Sequence, residues 1–232
     1  SGISTPASPE KVVSVASTLL DYVDGLYVSG KYAYAASVFN NSFVVVDISN
    51  PSSPKITSSV TDAVNLQGAA GVYVSGKYAY VVSIGSDSFA VIDFSNPASP
   101  SLVYALTDPV TQRLNGAMHV YVQRRYAYIS ALDANCLTLI DLKNPTSPVI
   151  VGSIQDATRL YRADGLYVSG KYAFVTSHQS YPSSGYFTVV DISDPTSMSI
   201  VGSLGSADLA SADEMYCSGR YAYVPVMTTN SL

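Results

Sequence analysis

Tyr27–Tyr34 reads YVSGKYAY and Val45–Pro54 reads VVDISNPSSP. These two blocks decide the fold, because both return along the chain. The first recurs as YVSGKYAY at Tyr73–Tyr80, YVQRRYAY at Tyr121–Tyr128, YVSGKYAF at Tyr167–Phe174 and YCSGRYAY at Tyr216–Tyr223, at spacings of 46, 48, 46 and 49 residues. The second recurs from Val91 as VIDFSNPASP, from Leu139 as LIDLKNPTSP and from Val189 as VVDISDPTSM. A fixed period of this size marks a repeat architecture.

Each unit divides into four short strands. Gly25–Val28 is an apolar run closed by Ser29-Gly30-Lys31, where Gly supplies the positive φ of a tight hairpin. Tyr32–Ser37 alternates large Tyr with small residues, as a strand with two unlike faces does. Phe43–Ile48 is apolar on both sides and stops at Ser49-Asn50-Pro51, since Pro cannot continue a ladder. Lys55–Val60 lies between Pro54 and a polar loop that begins at Thr61. Four antiparallel strands per unit make a propeller blade, which its neighbours cover on both faces. A linear β-solenoid is the rival architecture, but its coils are shorter and lack paired hairpins.

The two ends of the chain imply closure. Ile3–Pro9 aligns with Ile48–Pro54, so Lys11–Ala16 is expected to be a fourth strand with no blade of its own. Tyr216–Val226 supplies first and second strands with no fourth. The expectation is one domain over residues 1–232: an all-β, five-bladed propeller of four-stranded antiparallel blades, closed by strands from both termini. Such closure removes free sheet edges. The third strand of the fifth blade is then split between the ends. This places Ser1, Ile3 and Leu232 at a candidate interface, where a strand from another molecule can add.

Composition agrees with an all-β chain and excludes several functions. The charged fraction is 12%, about half the usual share. A net charge of −5 is the opposite of the strongly basic face a nucleic-acid binder needs. No apolar stretch approaches the roughly 18 residues of a membrane helix. Ser1–Glu10 has neither the basic start nor the apolar segment of a secretory signal. Cys136 and Cys217 lie in non-adjacent repeats and are expected to be unpaired thiols.

The paired blocks Phe43–Pro54 and Phe89–Pro100, each followed by a YVSGKYAY or YVQRRYAY block, resemble the LVIVD-repeat family. That resemblance covers nearly the whole chain. It implies propeller blades and an extracellular or cell-surface setting, and it carries no catalytic motif onto these residues.

In a four-stranded blade, the turns between strands one and two and between strands three and four share one end of the disc. Within this chain those turns barely vary. The loops at the opposite end differ in length and content, and adaptable loops on a rigid scaffold are the usual place for a ligand. Asp24, Asp164 and Asp213 occupy one repeat position at that end, three residues before the first-strand Tyr, where the other repeats have Ala70 and Met118. These carboxylates either hold a hard cation such as Ca²⁺ or cap loop N–H groups; no metal is assigned. His178 belongs to the same candidate ligand set, and His119 has no partner identifiable in the sequence. Tyr121, Tyr161, Tyr181 and Tyr186 are candidate sugar-stacking residues. Asn40-Asn41-Ser42 is a lone glycosylation sequon. The repeated Asp47, Asp93, Asp141 and Asp191 precede turns and are expected to be structural.

The near-constant end carries Lys31, Lys77, Arg124, Arg125, Lys171 and Arg220, the other Asp24, Asp62, Asp108, Asp164, Asp213 and Glu214. A disc basic on one side and acidic on the other can stack head to tail. The expected function is a non-enzymatic extracellular scaffold or adhesion module acting through contacts with proteins, copies of itself included. A carbohydrate-binding propeller is the alternative, and an enzyme with its site on the variable loops the third reading. No cofactor is expected.

Overall fold

The computed structural model describes residues 11–178 and 184–227. The first blade is β1 (Val23–Ser29), β2 (Tyr32–Ser37), β3 (Ser42–Asp47) and β4 (Lys55–Thr61). The second is β5 (Ala69–Ser75), β6 (Tyr78–Ser83), β7 (Ser88–Asp93) and β8 (Ser101–Thr107). The third is β9 (Ala117–Gln123), β10 (Tyr126–Ala131), β11 (Cys136–Asp141) and β12 (Val149–Gln155). The fourth is β13 (Ala163–Ser169), β14 (Tyr172–Ser177), β15 (Gly185–Asp191) and β16 (Ser199–Ser206). Each is a four-stranded antiparallel sheet paired in sequence order. A two-stranded sheet follows, β17 (Tyr216–Ser218) with β18 (Tyr221–Tyr223). No described helix is long and apolar enough to cross a membrane.

The repeat explains why middle strands are apolar on both sides. In the core, Tyr34, Phe43 and Val45 of the first blade meet Val72, Val74 and Ala79 of the second. The same set recurs as Tyr80, Phe89 and Val91 against Val120, Val122 and Ala127. It recurs again as Tyr128, Leu137 and Leu139 against Leu166, Val168 and Ala173. Full burial of one such side chain stabilises by about 1.5–3 kcal/mol. Tyr34, Tyr80 and Tyr128 are buried as expected of second-strand Tyr. Tyr221 and Tyr223 are not, at 71% and 46% exposed. No third strand pairs with β18 among the described residues, so nothing covers them there.

The same gap corrects a second expectation. Lys11–Ala16 forms no strand. An outer strand is held only by the third strand of its blade, and the third strand of the fifth blade is not among the described elements. Val15, Leu19 and Leu20 instead pack on Ala35, Val44 and Val46. Leu26 and Val28 stay exposed, although their equivalents Val72 and Val74 are buried. Ser1, Ile3, Tyr181 and Leu232 lie outside the described residues.

The near-constant end is fixed by one device in each complete blade. The N–H groups of Ser49, Ser95, Lys143 and Ser193 donate to Asp47, Asp93, Asp141 and Asp191 at 2.8–2.9 Å, the structural role expected of those acids. Lys77, Arg125 and Lys171 pair with Asp93, Asp141 and Asp191 at 3.1, 2.7 and 3.8 Å. Lys31, Lys77, Arg125 and Lys171 also lie over the Tyr that follows each of them, about 5 Å from the ring centre. The basic surface read from Lys31, Lys77, Arg124 and Arg125 is therefore offset by carboxylates at the same end. Arg124 takes the place of the hairpin Gly and holds φ at 59°.

Blades are also tied to one another at the variable end. Asn41, Asp87 and Asn135 close their β-hairpins at positive φ. Their side chains accept the N–H of Gly68, Gly116 and Arg162 in the next blade at 2.7–2.9 Å. Asp62, Asp108 and Asp156 accept N–H groups of the loop that follows each of them. Those acids are consequently committed to loop structure.

Candidate functional site

The five first-strand segments converge on a single cavity. It holds about 350 Å³ and is lined by Tyr27, Tyr73, Tyr121, Tyr167 and Tyr216, with His119 and Glu214 above them. Successive Tyr rings touch edge or face at 4.6, 5.1, 5.4 and 5.9 Å between centroids. Tyr121 thus belongs to the wall of the central cavity.

The repeat explains what stands over these rings. The residue two before each Tyr is Gly25, Gly71, His119, Gly165 and Glu214 in turn. A Cβ at Gly25, Gly71 or Gly165 would overlap the carbonyl of Ala70, Met118 or Asp213 on the next inner strand. Glycine there lets inner segments abut, and only the third and fifth repeats place a side chain at this position. This is the functional signal that the sequence reading missed. It is visible when Asp24-Gly25, Ala70-Gly71, Met118-His119, Asp164-Gly165 and Asp213-Glu214 are compared side by side.

His119 reaches across two blades. Its Nδ1 stands 3.3 Å from Asp164 Oδ1 and its Nε2 3.1 Å from Glu214 Oε1. Asp164 Oδ2 takes a hydrogen bond with His178 Nδ1 at 3.2 Å. Asp164 is 2% exposed, and ligand atoms of His119, Asp164 and Asp213 lie within 4.8 Å of one another. Asp213 Oδ1 also accepts the Glu214 N–H at 2.9 Å. Asp164 and Asp213 thus lie together with His119 beside the cavity, His178 touches Asp164, and Asp24 is near enough for their charges to act on it. Tyr161 is exposed on a loop outside the cavity wall. Tyr186 lies on β15 across from Gly205, also away from the cavity.

Electrostatics follow from this crowding. Burial works to lower the His119 imidazole, but Asp164 and Glu214 outweigh it and hold the ring at about 10. Burial works to raise Asp164, yet His119 and His178 hold it at about 2. Burial raises Asp24; His119 pulls it back, while Asp213, Asp164 and Glu214 push it further up. Four carboxylates face two imidazoles, so the mouth stays negative even with both rings protonated.

Cys136 is buried, Cys217 half-buried, and both thiols are free, as expected.

The LVIVD repeat pattern matches residues 22–62, 68–108, 116–156 and 162–205. The chain belongs to the LVIVD repeat family. No curated protein matches this LVIVD-repeat chain. Solved structures resemble its fold at low identity. A protein from Lactobacillus plantarum shares 15% identity over 78% of this chain and 57% of its own length, with a TM-score of 0.66. A functionally unknown protein from Desulfotomaculum acetoxidans shares 13% over 91% and 68%, with a TM-score of 0.68. The periplasmic gluconolactonase PpgL of Pseudomonas aeruginosa shares 16% over 87% and 62%, with a TM-score of 0.69. This LVIVD-repeat chain thus spans between 57% and 68% of the length of those proteins.

Proposed function

We propose that this protein is a non-enzymatic binding module, a scaffold or adhesion unit that engages a protein partner through the variable-loop end of the disc. The reading includes closure of five blades into one ring and the extracellular or surface setting that the family resemblance implies. Closure is supported by the cavity common to all five inner segments and by the influence of Asp213 and Glu214 on Asp24 of the first blade.

One observation carries the functional reading. Tyr22, Phe39, Val64, Val110 and Tyr161, between 41% and 88% exposed, stand on loops of the variable end. Single exposed apolar residues are ordinary, but a set of them on the loops of one end suits a docking surface. Tyr22 and Phe39 add a ring pair at 5.0 Å. Exposed apolar loops at the end that carries the carboxylates fit a partner that presents both basic and apolar side chains.

A hydrolytic enzyme is the second reading, favoured by the buried carboxylate–imidazole cluster and by the likeness to a protein named as a gluconolactonase. Two features weigh against it. Both ring nitrogens of His119 face carboxylates, 3.3 Å from Asp164 and 3.1 Å from Glu214, so neither is turned toward a substrate in the cavity. The described cavity wall offers no Ser, Thr, Cys or Lys nucleophile.

The test compares the protein with a Phe39→Ser, Val64→Ser, Val110→Ser variant by surface plasmon resonance against a cell-surface protein fraction, with free sugars as competitors. Saturable binding that the triple variant loses and sugars leave intact supports the reading. Binding unchanged in the variant, competition by sugars, or turnover of an aldonolactone by the protein overturns it.

A further inference from the structure

We infer that His119, Asp164 and Asp213 form a site for one divalent first-row cation of the zinc or manganese class, at the axis of the channel mouth. The inference goes beyond the docking surface and does not depend on it.

The geometry of the His119–Asp164 pair points to a third body between them. Nδ1 and Oδ1 stand 3.3 Å apart, yet neither atom has a hydrogen-bond partner among the described residues. Buried polar atoms left without a bond are costly, and Asp164 is 2% exposed. Two donor atoms each about 2.1 Å from one ion, set about 100° apart, lie about 3.2 Å from each other. The observed separation is that of neighbouring ligands on one ion. Asp213 brings a third ligand atom within 4.8 Å of both, a span that small side-chain shifts close.

The groups behind these atoms fit the same assignment. A ligating imidazole usually turns its other nitrogen to a carboxylate, which fixes the tautomer and the ring plane. Glu214 stands 3.1 Å from His119 Nε2 in that place, and release of the Nδ1 proton as the cation enters opens Nδ1 to ligate. His178 steadies Asp164 through Oδ2 at 3.2 Å and leaves Oδ1 toward the axis. The donor set selects the metal. One imidazole with carboxylates favours zinc or manganese over calcium or magnesium, which prefer all-oxygen shells. This departs from the Ca²⁺ site considered for Asp24, Asp164 and Asp213, because the sequence comparison left His119 out.

The test strips the full chain with chelator and titrates Zn²⁺, Mn²⁺ and Ca²⁺ by calorimetry. One Zn²⁺ or Mn²⁺ per chain is expected, with Ca²⁺ at least about 10-fold weaker. His119→Gly, which restores the residue of three other repeats, should weaken Zn²⁺ by about 100-fold or more. Asp213→Asn, at a less buried position, should weaken it too, and near-ultraviolet circular dichroism reports whether each variant keeps its packing. Without any substitution, bound Mn²⁺ should broaden the side-chain NMR signals of both histidines. Absence of stoichiometric binding, affinity unaltered in a folded His119→Gly variant, equal preference for Ca²⁺, or broadening elsewhere overturns the site. None of these outcomes bears on the partner-binding assay, so the two proposals fail separately.

Discussion

Adding one methyl group at Gly71 tests whether inner strands abut at glycine, the feature that leaves His119 and Glu214 as the only side chains at that repeat position. A Cβ there would lie 2.6 Å from Met118 O, 2.8 Å from Val82 Cγ2 and 3.0 Å from His119 Cα. Two of the three atoms are backbone of the neighbouring blade, and the third belongs to a fully buried side chain. None yields without moving a strand. Overpacking of this kind costs about 1–3 kcal/mol, and backbone neighbours place Gly71→Ala at the upper end, about 2–3 kcal/mol. For a chain of this size that lowers Tm by about 4–12 °C. Gly202→Ala is the control, because its Cβ meets nothing within 4 Å and its φ is not in the left-handed region. It should be neutral or stabilising by about 0.5 kcal/mol through the unfolded state. Urea unfolding followed by circular dichroism measures both. If Gly71→Ala unfolds with Gly202→Ala and the parent, the close approach of inner strands is wrong.

Three further outcomes follow from the same structure. Arg124→Gly removes a side chain held at φ 59° and restores the residue of the other hairpins, so it should stabilise by about 0.5–1 kcal/mol in the same assay. Hydrogen bonds from Ser95 and Lys77 hold the Asp93 carboxyl at about 2, and loop N–H groups and their neighbours lower Asp47, Asp62, Asp156 and Asp191. The folded values lie below the unfolded value of about 3.9, so this stabilisation is present above pH 4 and is lost as pH falls toward 2; urea midpoints measured from pH 6 to pH 2 should drop in that window. Burial pushes the Cys136 thiol up to about 11, so a thiol reagent at pH 8 should modify Cys217 first and reach Cys136 only on unfolding.

Much of the architecture was legible because each repeat states it again. Four strands per unit, the hairpin at Gly30 and the turn at Asp47 follow from local chemistry that any one copy displays. Legibility stopped where a residue depends on a partner outside its own repeat. Lys11–Ala16 has a strand pattern, but a strand needs a ladder, and none is described beside it. Lys77 and Arg125 read as surface charge until the hairpin and the Asp turn of one blade are seen side by side. The acids at Asp24, Asp164 and Asp213 were found by position within the repeat. His119 was not, because its role depends on Asp164 and Glu214 in the following blades, and only the loss of Gly at that position marks it.

Both histidines share one carboxylate-lined site beside the cavity, although they are distant in sequence. Side-chain NMR of ¹⁵N-histidine-labelled, chelator-treated protein measures this most directly, because the chain has only two histidines. Asp164 faces both rings, so Asp164→Asn should shift the nitrogen resonances of His119 and His178 together, while Glu214→Gln should shift His119 and leave His178 nearly unmoved. If Asp164→Asn keeps the protein folded and moves neither imidazole or only one, the two histidines do not share a site and the account of the channel mouth is wrong.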